Sequence, residues 1–166
     1  GYMRSGGIMS PITVEGASLL VLDDVVKNAD EASSETVRER IWNEYKSSLL
    51  TRLEPGGAII LIMTRWHEDD IAGRILKEEK GWEVINLPCE AEENDPLGRE
   101  IGEPLWPEFG FNAEWIADMK TRIGSRAWNA LYQQRPSSAD GELLKRNWWK
   151  YYNELPQMAI KIISVD

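Results

Sequence analysis

The amino-acid sequence predicts an α/β fold built on a parallel sheet, and three segments predict it. Leu19-Leu20-Val21-Leu22-Asp23-Asp24 is an apolar run that ends in two acids. Ala58-Ile59-Ile60-Leu61-Ile62-Met63 is a second run, ending in Thr64-Arg65-Trp66-His67. Short apolar runs bounded by turn residues read as buried parallel strands. Between them Val37, Ile41, Tyr45, Leu49 and Leu53 recur at helical spacing, with Arg38, Glu39 and Arg40 on the opposite face. Strand, helix and strand in that order make a βαβ unit, whose two strands lie parallel in one sheet.

Each further element follows from its punctuation. Residues 6–18 are rich in Gly, Ser, Thr and Pro and read as loop or short edge structure before the strand at 18–23. Asn28-Ala29-Asp30-Glu31 offers the helix cap, and Pro55-Gly56-Gly57 stops the helix and turns the chain into the strand at 58–63. A second helix is expected over about 69–80, with Ile71, Ile75 and Leu76 inward and Gly81 as terminator. Trp82-Glu83-Val84-Ile85-Asn86-Leu87 reads as a third strand, ended by Pro88. Residues 90–110 are acidic and rich in Pro and Gly, an excursion or linker. Asn112 caps a helix through Ile123, and Ser125 begins another that ends near Gln134, before Pro136. A linker at 137–147 leads to Trp148-Trp149-Lys150-Tyr151-Tyr152, and Ala159-Ile160-Lys161-Ile162-Ile163-Ser164-Val165-Asp166 reads as a strand that ends on an acid.

Composition narrows the class. A chain of 166 residues with 42% hydrophobic and 28% charged side chains can bury a sizeable core, which excludes a disordered segment. Cys89 is the only cysteine, which excludes an intrachain disulfide and a Cys-based zinc site and points to a reducing interior. No apolar stretch approaches membrane-spanning length. The formal charge of −9 argues against this segment being the main grip on DNA, because phosphate binding calls for a basic face. The chain begins without an initiator Met and ends on a strand-like segment, so a fragment of a longer protein is expected.

Four places can carry chemistry. Carboxylates at the C-terminal tip of a parallel strand sit where open α/β sheets bind ligands. There Asp23 can hold Mg²⁺ through water while Asp24 orients or deprotonates the water that attacks a γ-phosphate. The alternative is that both acids cap the turn into the following helix. Thr64, at the tip of the neighbouring strand, can sense the γ-phosphate or serve as a turn residue. His67-Glu68-Asp69-Asp70 invites a metal reading, but acids in the first turn of a helix are what the macrodipole favours, and one His is weak for zinc. The Trp148–Tyr152 cluster can stack on single-stranded bases or form a seam between packed domains. No Gly-Lys pair exists anywhere, so no phosphate-cradling loop with its Lys is present in the sequence.

Taken together these stretches resemble the large subunit of tailed-phage DNA-packaging terminases. The resemblance rests on Leu19–Asn28, on Thr64-Arg65-Trp66-His67-Glu68-Asp69-Asp70-Ile71-Ala72-Gly73, on Leu105-Trp106-Pro107, and on Ala130-Leu131-Tyr132-Gln133-Gln134-Arg135-Pro136 with Gly141 after it. It implies a partial ATPase domain of the P-loop NTPase type at 1–87, a mostly helical lid or linker at 88–158, and the first strand of a ribonuclease H-like nuclease at 159–166. Asp23 would then be the Walker B magnesium carboxylate, Asp24 would stand at the catalytic acid that is Glu in many relatives, and Thr64 would belong to the coupling motif. Asp166 would be the first metal-binding acid of the nuclease. ATP and Mg²⁺ would be the motor's cofactors, with divalent metal ions at the nuclease site. The implied partners are double-stranded DNA, the portal protein, the small terminase subunit and further copies in a ring on the procapsid, in the cytoplasm of a bacterial host and with no membrane. Many relatives carry Arg-Gly before the Walker B strand, where this chain has Val14-Glu15-Gly16. This chain alone is expected neither to hydrolyse ATP nor to cut DNA. The rivals are a non-catalytic prophage remnant or interaction fragment of the same family, and an unrelated helicase-like ATPase, which needs neither the Leu-Tyr-Gln-Gln-Arg-Pro run nor the acid-ending strand.

Overall fold

Strands β1 (Ala17–Asp23) and β2 (Leu53–Ile62) pair in parallel, in register from Leu19 opposite Ala58 to Asp23 opposite Ile62. The structure is a computed structural model that describes residues 3, 5–8 and 16–137. Ahead of that register Ala17 pairs with Leu53, so residues 54–57 bulge outward. Gly56 makes this possible, with φ of 80° in the left-handed region open to Gly. Side chains alternate between the faces of a strand, and here the alternation is visible in burial. Leu20, Leu22, Ile59 and Leu61 face the core, whereas Leu19, Val21, Ile60 and Ile62 are exposed on the other face. The parallel pairing expected from the apolar runs is present, but only one face of the pair is covered.

The connection between the strands is helical, as its periodicity requires, but it is broken once. Helix α1 (Ala29–Ser33) is capped by Asn28, whose side chain accepts from the Glu31 N–H at 2.9 Å. Helix α2 (Glu35–Glu44) starts again at Ser34, which has extended ψ of 112° and caps it by accepting from the Val37 N–H at 3.4 Å. Ser prefers such a cap to a helix interior because its hydroxyl competes for backbone groups. The helix then widens into a π turn at Tyr45–Leu49, tightens into a 3₁₀ turn at Leu50–Arg52, and ends where β2 begins. Leu53, expected on the helix face, is therefore a strand residue.

The first core packs Ile41, Trp42, Tyr45 and Leu49 against Leu22, Val26, Ile71 and Ile75. Tyr45 is fully buried, its ring stacked on Trp42 at 5.4 Å and its hydroxyl donating to Glu79 Oε2 at 3.1 Å. Trp82 donates its indole N–H to the same oxygen at 2.8 Å. Helix α3 (Ile71–Glu78) supplies Ile71 and Ile75, but Leu76 is exposed and the buried stem on that side belongs to Arg74.

The expected third strand is not formed. Among the described residues the sheet has two strands, and Val84, Ile85 and Leu87 are exposed. The chain is drawn away from the sheet, because the Cys89 N–H donates to the Tyr132 carbonyl at 2.8 Å and the Cys89 carbonyl accepts from the Leu105 N–H at 2.7 Å. Cys89 thereby joins a second core with Ile116 and Trp128, flanked by Trp115, Met119, Ile123 and Tyr132. Helix α4 (Ala113–Ala127) is capped by Asn112, which accepts from the Trp115 N–H at 3.0 Å. It breaks at Gly124, with φ of 78° and ψ of 163°, between the two helices expected from sequence. A π turn at Trp128–Tyr132 ends it, with those two rings stacked 4.7 Å apart. The acidic excursion at 90–110 is stitched by Arg99, which donates to the Pro88 carbonyl at 2.8 Å and pairs with Asp95 at 2.6 Å. No described helix is long and apolar enough to cross a membrane.

Candidate functional site at the strand tips

Parallel strands end on the same side, so register decides which residues gather there. Asp23, the last residue of β1, lies opposite Ile62, the last residue of β2. The next N–H, that of Asp24, donates to the Ile62 carbonyl at 2.9 Å, and Asp24 then turns the chain with φ of 44°. Thr64 follows Ile62 by two residues. Three of the predicted site residues, Asp23, Asp24 and Thr64, therefore reach one end of the sheet, and all three are exposed. Asp166, the fourth, lies outside the described residues, as does the Trp148–Tyr152 cluster.

The acid pair does not cap a helix. Asn28 performs that function four residues after Asp24, with Val25, Val26 and Lys27 between, and Val26 is buried in the core. The carboxylates of Asp23 and Asp24 meet no hydrogen-bond or ion-pair partner among the described residues. Hard carboxylate oxygens open to solvent suit Mg²⁺, which needs one or two of them together with water and phosphate oxygens rather than a protein cage. Among the described residues no three His, Cys, Asp or Glu side chains gather as a cage.

The stretch after Thr64 is structural and tightly bonded. Asp70 is buried, caps α3 by accepting from the Gly73 N–H at 2.8 Å, and accepts from Arg65 Nε at 3.0 and 2.8 Å through its two oxygens. Asp69 pairs with Arg74 at 2.6 Å and with Arg38 at 3.3 Å, and Arg74 also pairs with Glu39 at 2.8 Å. The hydrogen bond from Arg74 holds the Asp69 carboxyl below the usual carboxylate range. His67 Nδ1 accepts from the Asp69 N–H at 3.0 Å, which requires that nitrogen to be unprotonated. Burial, and then the charge of Arg38, lower the His67 pKa from its ordinary value. Of His67–Asp70, Asp70 caps α3, whereas Asp69 is held in ion pairs and His67 accepts from the Asp69 N–H, and no acid occupies the first turn of the helix.

No protein-family model matches this chain, and no curated protein matches it.

Two amides that the sequence reading quoted only as part of the Leu-Tyr-Gln-Gln-Arg-Pro run are held by long-range hydrogen bonds. Gln133 is buried; its side-chain oxygen accepts from the Glu90 N–H at 2.8 Å, and its amide donates to the Glu90 carbonyl at 3.0 Å and to Glu92 Oε1 at 2.8 Å. Gln134 reaches the other way, accepting from the Arg65 N–H at 3.0 Å beside Thr64. The only sequence signal was the pair of adjacent amides before Arg135-Pro136, which by itself assigns no partner.

Proposed function

We propose that this chain is the central part of a terminase large subunit, the ATP-driven motor that moves viral DNA into procapsids and cuts the concatemer. One observation carries the reading: the register that sets Asp23 opposite Ile62 gathers Asp23, Asp24 and Thr64 at one end of a parallel strand pair. Under this reading the sheet belongs to a P-loop NTPase-like domain. Its bare face of Leu19, Val21, Ile60 and Ile62 is where further elements of that domain pack, since parallel sheets are covered on both faces.

Asp23 and Asp24 then divide the work. Asp23 is the carboxylate that holds Mg²⁺ beside the phosphates of ATP, where a divalent ion neutralises charge that builds on the transferring group. Asp24 orients the attacking water and accepts its proton. Thr64 responds to the γ-phosphate and passes its loss to the lid and linker region. Asp166 begins a ribonuclease H-like nuclease that uses divalent ions. The intact subunit acts as a homo-oligomeric ring on the procapsid in the host cytoplasm, with the portal protein and the small subunit as partners. Duplex DNA is gripped by other surfaces, given the charge of −9 here.

The test is ATP hydrolysis by the product of the complete reading frame, with and without DNA, and by its Asp24→Asn variant. Asn adopts the left-handed conformation more readily than most residues, so this substitution removes the carboxylate while leaving the turn intact. Turnover is expected in the parent and a loss of at least about a hundredfold in the variant. Equal turnover in the two removes Asp24 from the mechanism. A parent without any turnover favours the non-catalytic prophage remnant.

A further inference from the structure

Arg65 follows Thr64 at the tip of β2, and its backbone N–H is bonded to a side chain 69 residues away, Gln134, at 3.0 Å. The other end of that side chain is also engaged, because Gln134 Nε2 donates to the Leu131 carbonyl at 2.6 Å. An N–H only donates and a carbonyl only accepts, so a single amide orientation satisfies both bonds. The Gln134 backbone has φ of 56°, a conformation that side-chain-bearing residues rarely adopt. It is held there by the next residue, whose N–H donates to the Asn129 carbonyl at 2.7 Å. On the other side, the Arg65 side chain is clamped by the buried Asp70 at 2.8 Å, and Asp70 also caps α3. Gln134 is thus bonded at both ends, between the residue after Thr64 and the last turn of the second module.

We infer that Gln134 is a positioning residue that transmits movement of the β2 tip to the module built around α4. The inference rests on the reading of Thr64 as the residue that responds to the γ-phosphate. A displacement of Thr64 carries the Arg65 N–H with it. Gln134 then must follow, drawing on the Leu131 carbonyl and hence on the π turn that packs Trp128 and Tyr132.

Two variants of the complete protein test this. Gln134→Met keeps the length of the side chain and removes both bonds, whereas Gln134→Glu keeps the acceptor for Arg65 and removes the donor to Leu131. Loss of the bond is expected to speed hydrogen exchange at the Arg65 amide about tenfold in Gln134→Met, with protection recovered in Gln134→Glu. The amides of Leu22 and Ile60, which face the partner strand, should keep their protection in both, which shows that the sheet is intact. In the same proteins, Gln134→Met and Gln134→Glu should both keep ATP turnover within about twofold while DNA moved per ATP falls about tenfold, because both lack the bond to the Leu131 carbonyl. Unchanged exchange at Arg65, unchanged DNA movement per ATP, or joint loss of turnover and of Leu22 and Ile60 protection would each overturn the inference. Absence of ATP turnover in the parent protein would instead bring down the motor reading, and the transmitting role with it.

Discussion

Gly73 shows how a single hydrogen in place of a side chain decides local geometry. A β-carbon there would collide with the Glu68 carbonyl oxygen and come within 3.1 Å of Arg65 Nη2. The backbone after Thr64 folds back so closely that Asp70 can cap α3 and clamp Arg65 at once. Gly73→Ala is therefore expected to destabilise the chain by about 2 kcal/mol or more, through a clash with backbone that cannot step aside. Chemical denaturation measures this, and a cost below about 0.5 kcal/mol would show that the turn relaxes freely. From sequence, Gly73 was only one letter in a resemblance. Likewise the sequence gives Arg65 no partner, because Asp70 and Gln134 become its neighbours only when the turn closes.

At the scale of elements, the sheet separates what periodicity reveals from what it hides. Two apolar runs and the intervening helical repeat were enough to place β1, α2 and β2 and to predict their parallel pairing. Nothing in an unbroken apolar run tells which of its faces will be covered, and here Val21 and Leu22 have opposite fates. Leu22→Ala is expected to cost about 3 kcal/mol by emptying a filled site. Val21→Thr, on the exposed face, should change stability by less than about 0.5 kcal/mol in the 166-residue chain. Urea unfolding of both variants checks the difference, and comparable losses would show that both faces are covered. The run at 82–87 misled for a related reason. Its residues favour a strand, but backbone bonds from Cys89 to Tyr132 and Leu105 commit the segment that follows to the second core. By contrast, the break between Ile123 and Ser125 was legible, because Gly124 adopts a conformation that punctuates a helix by itself.

For the molecule as a whole, electrostatics predicts fragility toward acid. His67 and Asp69 both have folded-state pKa values below their ordinary ones, His67 chiefly through burial and Asp69 chiefly through the hydrogen bond from Arg74. Asp95 is lowered in the same way by Arg99. In each case the unfolded chain binds the proton first, so stability present at neutral pH falls as pH drops. The His67 contribution is lost below about pH 6.5, and those of Asp69 and Asp95 below about pH 4. The urea midpoint should thus be lower at pH 5 than at pH 7.5 in the parent chain. His67→Asn keeps an acceptor for the Asp69 N–H without titrating, and should flatten that difference. An identical slope in the variant would mean that another group carries the effect. The core around Tyr45 was foreshadowed by the helical repeat of Val37, Ile41, Tyr45 and Leu49, whereas for the core around Trp128 only the helices were foreshadowed, by their caps. The bond that joins the β2 tip to the second core was not foreshadowed, since it runs through the Gln134 side-chain amide, whose partner lies 69 residues away.

The chemical character of that connection has a consequence of its own. Ion pairs such as Arg38–Asp69 and Arg74–Glu39 weaken as ionic strength rises, because mobile ions screen exposed charges within about 8–10 Å. The bond from Arg65 to Gln134 joins two uncharged groups and neither titrates nor is screened. The joint between the strand tips and the second module should therefore keep its geometry across salt concentrations that loosen the charged cluster around α3. A rising salt series would weaken the pairs of Arg38 and Arg74 before it affects the joint.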